Sequence, residues 1–214
     1  MSIEEAANAL RNGNLVAFPT ETVYGLGANA DDTEAVARLY EVKQRPREKQ
    51  ISLLVCSLDG VKLWVQTIPP NAKLLMETFW PGPLTIVLPG RTDRNVCPTI
   101  KGGNEVGLRF PDSKVAQDIV RLAKVPVVAT SANISGMPPP INAEQVIRDL
   151  SGRIELILDG GVTCLQAPST VVRVTSADAV EVVRIGVISM EMVYDCLKQK
   201  QVIKNYEDCV RSRP

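Results

Sequence analysis

The stretch LVAFPTETVYGLG, residues 15–27, sets four apolar residues directly before three hydroxyl side chains (Thr20, Thr22, Tyr24) and one carboxylate (Glu21). An apolar run this short, ended by Pro19, reads as a buried strand, and the polar residues after it as the loop at the strand's end. Upstream, Ser2-x-x-Glu5 is a capping box ahead of Ala6, Ala7, Ala9 and Leu10, and Gly13 ends that helix. Helix, buried strand and polar loop together open an α/β fold, in which ligands gather at the loops beyond the strand ends. Gly25 and Gly27 are expected to let the chain turn out of this loop toward the next helix.

The alternation continues along the chain. Asp32 or Thr33 caps a helix carrying Ala35, Val36, Leu39 and Val42, and Asn71 caps another through Leu74, Leu75 and Phe79. Further helices are expected over 113–122 and 142–150 and after Ser189. Strands are expected over 51–56, 84–88, 106–110, 125–129, 154–158, 170–174 and 180–185. The pattern predicts a single-domain α/β fold: a twisted mixed sheet, mainly parallel, with helices on both faces and the later strands antiparallel at one side. Residues 1–190 form that domain, and 191–214 read as a C-terminal helix and tail.

Composition narrows the chemistry. Lys+Arg and Asp+Glu are 24 each, so any anion site must be a local cluster rather than a property of the net field. The acidic start Met1-Ser2-Ile3-Glu4-Glu5 lacks the pattern of a signal peptide and no run is long enough to span a bilayer, so the expected location is the cytoplasm. Five widely spaced cysteines without Cys-x-x-Cys predict plain thiols. The absence of histidine excludes His-dependent triads, His metal ligands and imidazole bases.

Four loops after strands are rich in hydroxyls or amides: 19–27, 109–112, 130–136 and 168–170. Between two of the expected strands lies Lys43-Gln44-Arg45-Pro46-Arg47-Glu48-Lys49, four cations at every second position. Pro46 biases Arg45 toward extended backbone, where alternate side chains share a face, so the cations converge on an anion or, alternatively, point to solvent. There is no P-loop. Gly25-x-Gly27-x-x-Ala30 begins seven residues beyond Phe18 and is followed by the basic run where a dinucleotide fold has an acid. Ser131 has no histidine partner and no Ser-x-x-Lys occurs, which argues against a serine hydrolase. A site of cations, hydroxyls and amides suits a polyphosphate and a small polar substrate, without a covalent nucleophile.

Pro19-Thr-Glu-Thr-Val-Tyr-Gly-Leu-Gly, Lys43-x-Arg45-Pro46, Gly107-Leu108-Arg109-Phe110-Pro111, Ser131-Ala132-Asn133, Ser169-Thr170-Val171-Val172 and Arg184-Ile185-Gly186 together resemble the threonylcarbamoyl-AMP synthases, the YrdC-like family, over residues 3 to 190. The resemblance implies a nucleotidyltransferase that joins L-threonine, bicarbonate or CO2 and ATP into threonylcarbamoyl-AMP and pyrophosphate. The product supplies the N6-threonylcarbamoyl group of adenosine 37 in tRNA through a downstream tRNA threonylcarbamoyl transferase. It also implies Mg2+ with the ATP, no organic cofactor, no protein-held metal, no membrane, and no obligatory RNA contact. Lys43 and Arg45 are the implied catalytic cations; with Lys49, Ser131, Asn133 and Arg184 they bind ATP. Thr22, Arg109, Ser131 and Ser169 hold L-threonine, Arg109 as a fork for its carboxylate, while Glu21 could assist or bind metal. Lys101, Gly102 and Gly103 resemble a mobile loop without an assigned role.

Three positions depart from the family pattern: Gln50 in place of proline, Leu54 in place of histidine, and Ile141 in place of a small hydroxyl residue. The chain resembles the short members that lack an extra C-terminal domain. Two other functions stand against this reading. One is a non-catalytic RNA-binding module, disfavoured by balanced charge and 4% aromatic residues. The other is carbamoyl transfer from carbamoyl phosphate, chemistry of a related domain in larger hydrogenase-maturation proteins.

Overall fold

The computed structural model describes residues 2–91, 101–102 and 104–198. In chain order they form α1 (Ile3–Arg11), β1 (Val16–Phe18), β2 (Gly25–Asn29), α2 (Thr33–Val42), β3 (Ser52–Leu54), α3 (Leu58–Lys62), α4 (Pro70–Phe79), β4 (Leu84–Pro89), β5 (Lys101–Gly102), β6 (Glu105–Arg109), α5 (Lys114–Ala123), β7 (Val127–Ser131), α6 (Ala143–Leu150), β8 (Leu156–Ile157), β9 (Thr170–Val174) and β10 (Val180–Arg184). A seventh helix, α7, covers 190–198. The capping box at Ser2 and Glu5 starts α1, while Asp32, Ser113 and Asn142 cap α2, α5 and α6. Helix α4 departs from expectation: Pro70 occupies its first turn, and Asn71 instead receives the turn before β10, its backbone N–H donating to Asp178 Oδ1 at 2.7 Å.

One mixed sheet runs in the order β10-β9-β4-β6-β3-β7-β2-β1-β8, with β5 alongside β6. Its mixed character and its helical cover on both faces are as expected; the parallel share is smaller than the alternation of strands and helices implies. Pairs β1–β8, β3–β6 and β4–β9 are parallel. The pairs β1–β2, β2–β7, β3–β7, β4–β6, β5–β6 and β9–β10 are antiparallel. The cause lies in the opening stretch, where only residues 19–24 separate β1 from β2. A parallel return needs a crossover of about a dozen residues or more, so β2 folds straight back. Gly25 and Gly27 are therefore strand residues rather than a turn into a helix. A Cβ at Gly27 would come within 2.7 Å of the buried Phe18 ring, so the glycine lets β1 and β2 pack this closely.

The two faces of the sheet are covered unequally. On one face Leu53, Ile86, Leu108, Val128 and Val172 project into a core closed by α2, α3, α4, α6 and α7, including Leu39, Val61, Leu75, Val146 and Val193. On the other face α1 and α5 cover only part, packing Leu10 and Ile119 onto Val16, Phe18, Leu54, Val127 and Leu158. Beyond them no described helix covers the sheet. Val193 and Cys196 of α7, in the expected C-terminal helix, pack into the larger core; residues 199–214 lie outside the described residues. Of the loop read at Lys101, Gly102 and Gly103, the first two residues form β5 and Gly103 lies outside them.

Candidate active site

A cavity of about 640 Å3 fills the open part of the sheet face. Because strand side chains alternate, it takes Ser52 and Leu54 of β3, Thr85 and Val87 of β4, Gly107 and Arg109 of β6, and Ala129 and Ser131 of β7, while their neighbours face the core. The size is that of a site for a small ligand. Its charged residues, among those described, are Arg45, Lys49, Arg109 and Arg184, with no carboxylate. Such a cavity favours an anion of several charges, since cations held together in low dielectric are unfavourable until neutralised. Burial, then the nearby Arg109 and Arg45, push the Arg184 guanidinium below its usual pKa, and burial lowers that of Arg45.

The basic run is not extended. It turns at 43–44 and again at 47–48, and its four cations do not share one face. Arg45 and Lys49 line the cavity; Arg47 stacks 5.4 Å from the Tyr40 ring centre instead. Arg45 is aimed by its own loop, donating through Nε to Lys49 O at 3.0 Å and through Nη2 to Gln50 O at 2.7 Å. Lys43 lies behind the wall: it is 1% exposed, does not line the cavity, and donates through Nζ to the carbonyls of Ser131 and Asn133. Its own carbonyl accepts from Ser135 N at 2.8 Å, so the residue brackets the 131–135 loop from two sides. Burial, followed by Arg45, lowers the Lys43 pKa to about 7, against an opposing pull from Asp149. A neutral amine still has two hydrogens for its two carbonyls.

Thr22 is also behind the wall, fully buried and absent from the cavity lining. Arg109 Nη2 donates to Glu21 Oε1 at 2.8 Å and to Thr22 Oγ1 at 2.7 Å. Thr22 in turn meets Thr20 Oγ1 at 2.8 Å, and Thr20 donates to Val23 O at 2.6 Å. Thr20 has one hydrogen, already given to Val23, so Thr22 must donate to Thr20. The chain from Arg109 to Val23 O therefore runs in one direction. It leaves Arg109 Nε and Glu21 Oε2 as buried polar atoms without partners among the described residues, and the guanidinium fork expected for a carboxylate is partly held by the protein itself.

Ser131, the last residue of β7, and Asn133, in the loop after it, line the cavity. Asn133 Nδ2 donates to Ile134 O at 2.9 Å and Met137 O at 2.6 Å, and among the described residues Oδ1 is a free buried acceptor. Across the cavity Arg184 Nη2 donates to Ser169 O at 2.7 Å and to Ser169 Oγ at 3.2 Å. Gly186 makes that approach possible, since a Cβ there would sit 2.2 Å from Pro168 O. Of the residues singled out in the sequence, Arg45, Lys49, Arg109, Ser131, Asn133, Ser169 and Arg184 thus meet around one cavity, and Lys43 and Thr22 support it from behind. Thr85 was not singled out. Its signal was visible, as the one polar residue in the apolar run 84–88.

Residues 8–186 match the Sua5/YciO/YrdC family, described as "Telomere recombination". The chain belongs to that family. It is similar to the threonylcarbamoyl-AMP synthase of Pyrococcus abyssi (strain GE5 / Orsay), at 45% identity over 175 residues, 81% of this chain and 51% of that protein. It is also similar to that of Bacillus subtilis (strain 168), at 41% over 208 residues, 96% of this chain and 59% of that protein. Among solved structures, P. abyssi Sua5 complexed with L-threonine matches with a TM-score of 0.85 and 41% identity, over 91% of this chain and 56% of that one. The chain thus spans about half the length of the P. abyssi relative, 51%, and little more of the B. subtilis one, 59%.

Within this Sua5/YciO/YrdC domain the three departures fall differently. Gln50 and Leu54 line the cavity, and Gln50 contributes its backbone carbonyl to aim Arg45. Ile141 does not line it, and its backbone accepts from Thr163 N at 2.8 Å. Cys56, Cys164 and Cys196 are free thiols; Cys97 and Cys209 lie outside the described residues. Among the described residues no helix is long and apolar enough to cross a membrane, and no three His, Cys, Asp or Glu side chains gather as metal ligands.

Proposed function

We propose that the chain is an L-threonylcarbamoyladenylate synthase, working in the cytoplasm on ATP, L-threonine and bicarbonate or CO2. The observation that carries the reading is the cavity lined by Arg45, Lys49, Arg109 and Arg184 without a described carboxylate. The synthase relatives and the family's threonine-bound structure support it. In this reading Arg45, Lys49 and Arg184 hold the polyphosphate, the Ser131 hydroxyl donates to it, and the free Asn133 Oδ1 accepts from a nucleotide donor such as a ribose hydroxyl. Arg109, through its unpartnered Nε, and Ser169 hold the threonine carboxylate. The threonine amine adds to bicarbonate, releasing water, or to CO2, releasing a proton, and gives a carbamate. A carbamate oxygen attacks the α-phosphorus, and pyrophosphate leaves as the cations offset its charge. Lys43 serves by holding the carbonyls of Ser131 and Asn133 in place.

The lining does not fit a protein-held Mg2+, which takes carboxylate and water oxygens. Glu21 Oε1 is engaged by Arg109. Magnesium therefore belongs to this reading only as part of the ATP substrate complex, and no step depends on a protein-bound ion. The product passes to a tRNA threonylcarbamoyl transferase. Pyrophosphate release from the purified chain, with threonine and bicarbonate omitted in turn, tests the proposal. Release that requires both supports it, and release that persists without either one removes it.

A further inference from the structure

Thr85 is 4% exposed, lines the cavity, and sits on β4 between β9 and β6, paired with Arg109 on one side and Val171 on the other. Its Oγ1 lies 2.9 Å from Ser169 Oγ, the same oxygen that accepts from Arg184 Nη2 at 3.2 Å. A hydroxyl carries one hydrogen and two lone pairs. Thr85 and Ser169 therefore bring two hydrogens between them. One is used between the two oxygens, and the other has no acceptor among the described residues.

The free hydrogen has two possible places. If Thr85 donates to Ser169, both Ser169 lone pairs are filled, by Thr85 and by Arg184, and the Ser169 O–H can only donate. If Ser169 donates to Thr85, a Ser169 lone pair stays open. An anion beside Ser169 selects the first arrangement, because it meets a hydrogen instead of a lone pair. Behind the wall, beside Arg109, the hydroxyls have the opposite polarity. Thr22 and Thr20 pass their hydrogens inward to Val23 O, so Thr22 has none to give.

We propose that Thr85 is a positioning residue for the carboxylate of the amino-acid substrate. By donating to Ser169 it makes the Ser169 hydroxyl an obligate donor, which favours an acceptor at that place, and a charged α-carboxylate over a neutral one. The direction of that hydrogen then orients the substrate, with its carboxylate toward Ser169. The proposal rests on the threonine-binding reading of the cavity.

Thr85→Val keeps the branched shape on the strand and removes the hydroxyl, and Thr85→Ser keeps the hydroxyl. In pyrophosphate-release assays Thr85→Val is expected to raise the KM for L-threonine about tenfold, with kcat and the KM for ATP unchanged. Thr85→Ser restores the KM to within about twofold. Calorimetric binding of L-threonine and of its methyl ester supplies a second readout: Thr85→Val weakens the acid more than the ester. Equal weakening of acid and ester, a fall in kcat accompanied by a changed ATP KM, or an unchanged threonine KM overturns the proposal. Wild-type turnover that ignores threonine removes the synthase reading and this proposal with it. Threonine-dependent wild-type turnover with an unaltered Thr85→Val variant removes the role of Thr85 alone.

Discussion

The two faces of one sheet have opposite chemistry although the same strands build them. In β6 the core side carries Val106 and Leu108, buried beneath helices, and the cavity side carries Gly107 and Arg109. In β4 the corresponding division sets Leu84, Ile86 and Leu88 against Thr85 and Val87. Burial on the first face stabilises the fold; on the second, polar groups are held by their neighbours but left with unfilled valences. A one-residue change of place along a strand therefore exchanges a stability phenotype for a binding phenotype.

The largest expected effect is on the cavity face. Arg45→Ala lowers pyrophosphate release by about 10²–10³, as loss of an aimed cation does, while the melting temperature changes little. Comparable activity in the variant would remove Arg45 from the chemistry. The core face should answer in the opposite way. Leu108→Ala, at a fully buried position, costs about 3 kcal/mol in denaturant unfolding and leaves kcat per folded molecule intact. A loss of kcat without a loss of stability would break the division between faces.

Where α1 and α5 close the sheet, Gly27→Ala drives a methyl into the Phe18 ring and is expected to cost about 2 kcal/mol. Wild-type stability in that variant would show that the strand pair can relax. The smallest effect, taken per pH unit, concerns Lys43. Its folded pKa, about 7, lies below the ordinary lysine value of 10.5, so between these pH values the unfolded chain binds the extra proton. The burial penalty is complete below about pH 7, and stability rises as pH rises through the window, by about 1 kcal/mol per unit. Lys43→Met removes this slope; parallel pH curves for the two proteins would place the lysine's charge in a better-solvated setting.

Much of the fold was legible because local signals agreed with it. Ser2 with Glu5, Asp32, Ser113 and Asn142 each mark a helix start that the structure uses. The buried strands announced themselves as short apolar runs. Strand β2 did not, because its sequence, Gly25–Asn29, contains two glycines that read as a turn until Phe18 is seen to pack across them. The site was legible as a set of residues, because loops rich in hydroxyls follow strands and the cations cluster in one loop. Their division into lining and support was not. Lys43 and Arg45 are two residues apart and look alike in sequence, yet one holds a loop from behind and the other faces the cavity.

Residue order by itself determined the alternation of elements, the family motifs and the inventory of polar groups, since these depend on neighbours a few positions apart. Tertiary structure decided which valences remain free. Thr22 is fully committed within the protein because Arg109, 87 residues away in sequence, reaches its oxygen. Ser169 owes its aim to Thr85 and Arg184, which lie 84 and 15 residues from it. Hydrogen-bond capacity belongs to a residue type, but whether that capacity is used depends on partners that only the folded sheet brings together.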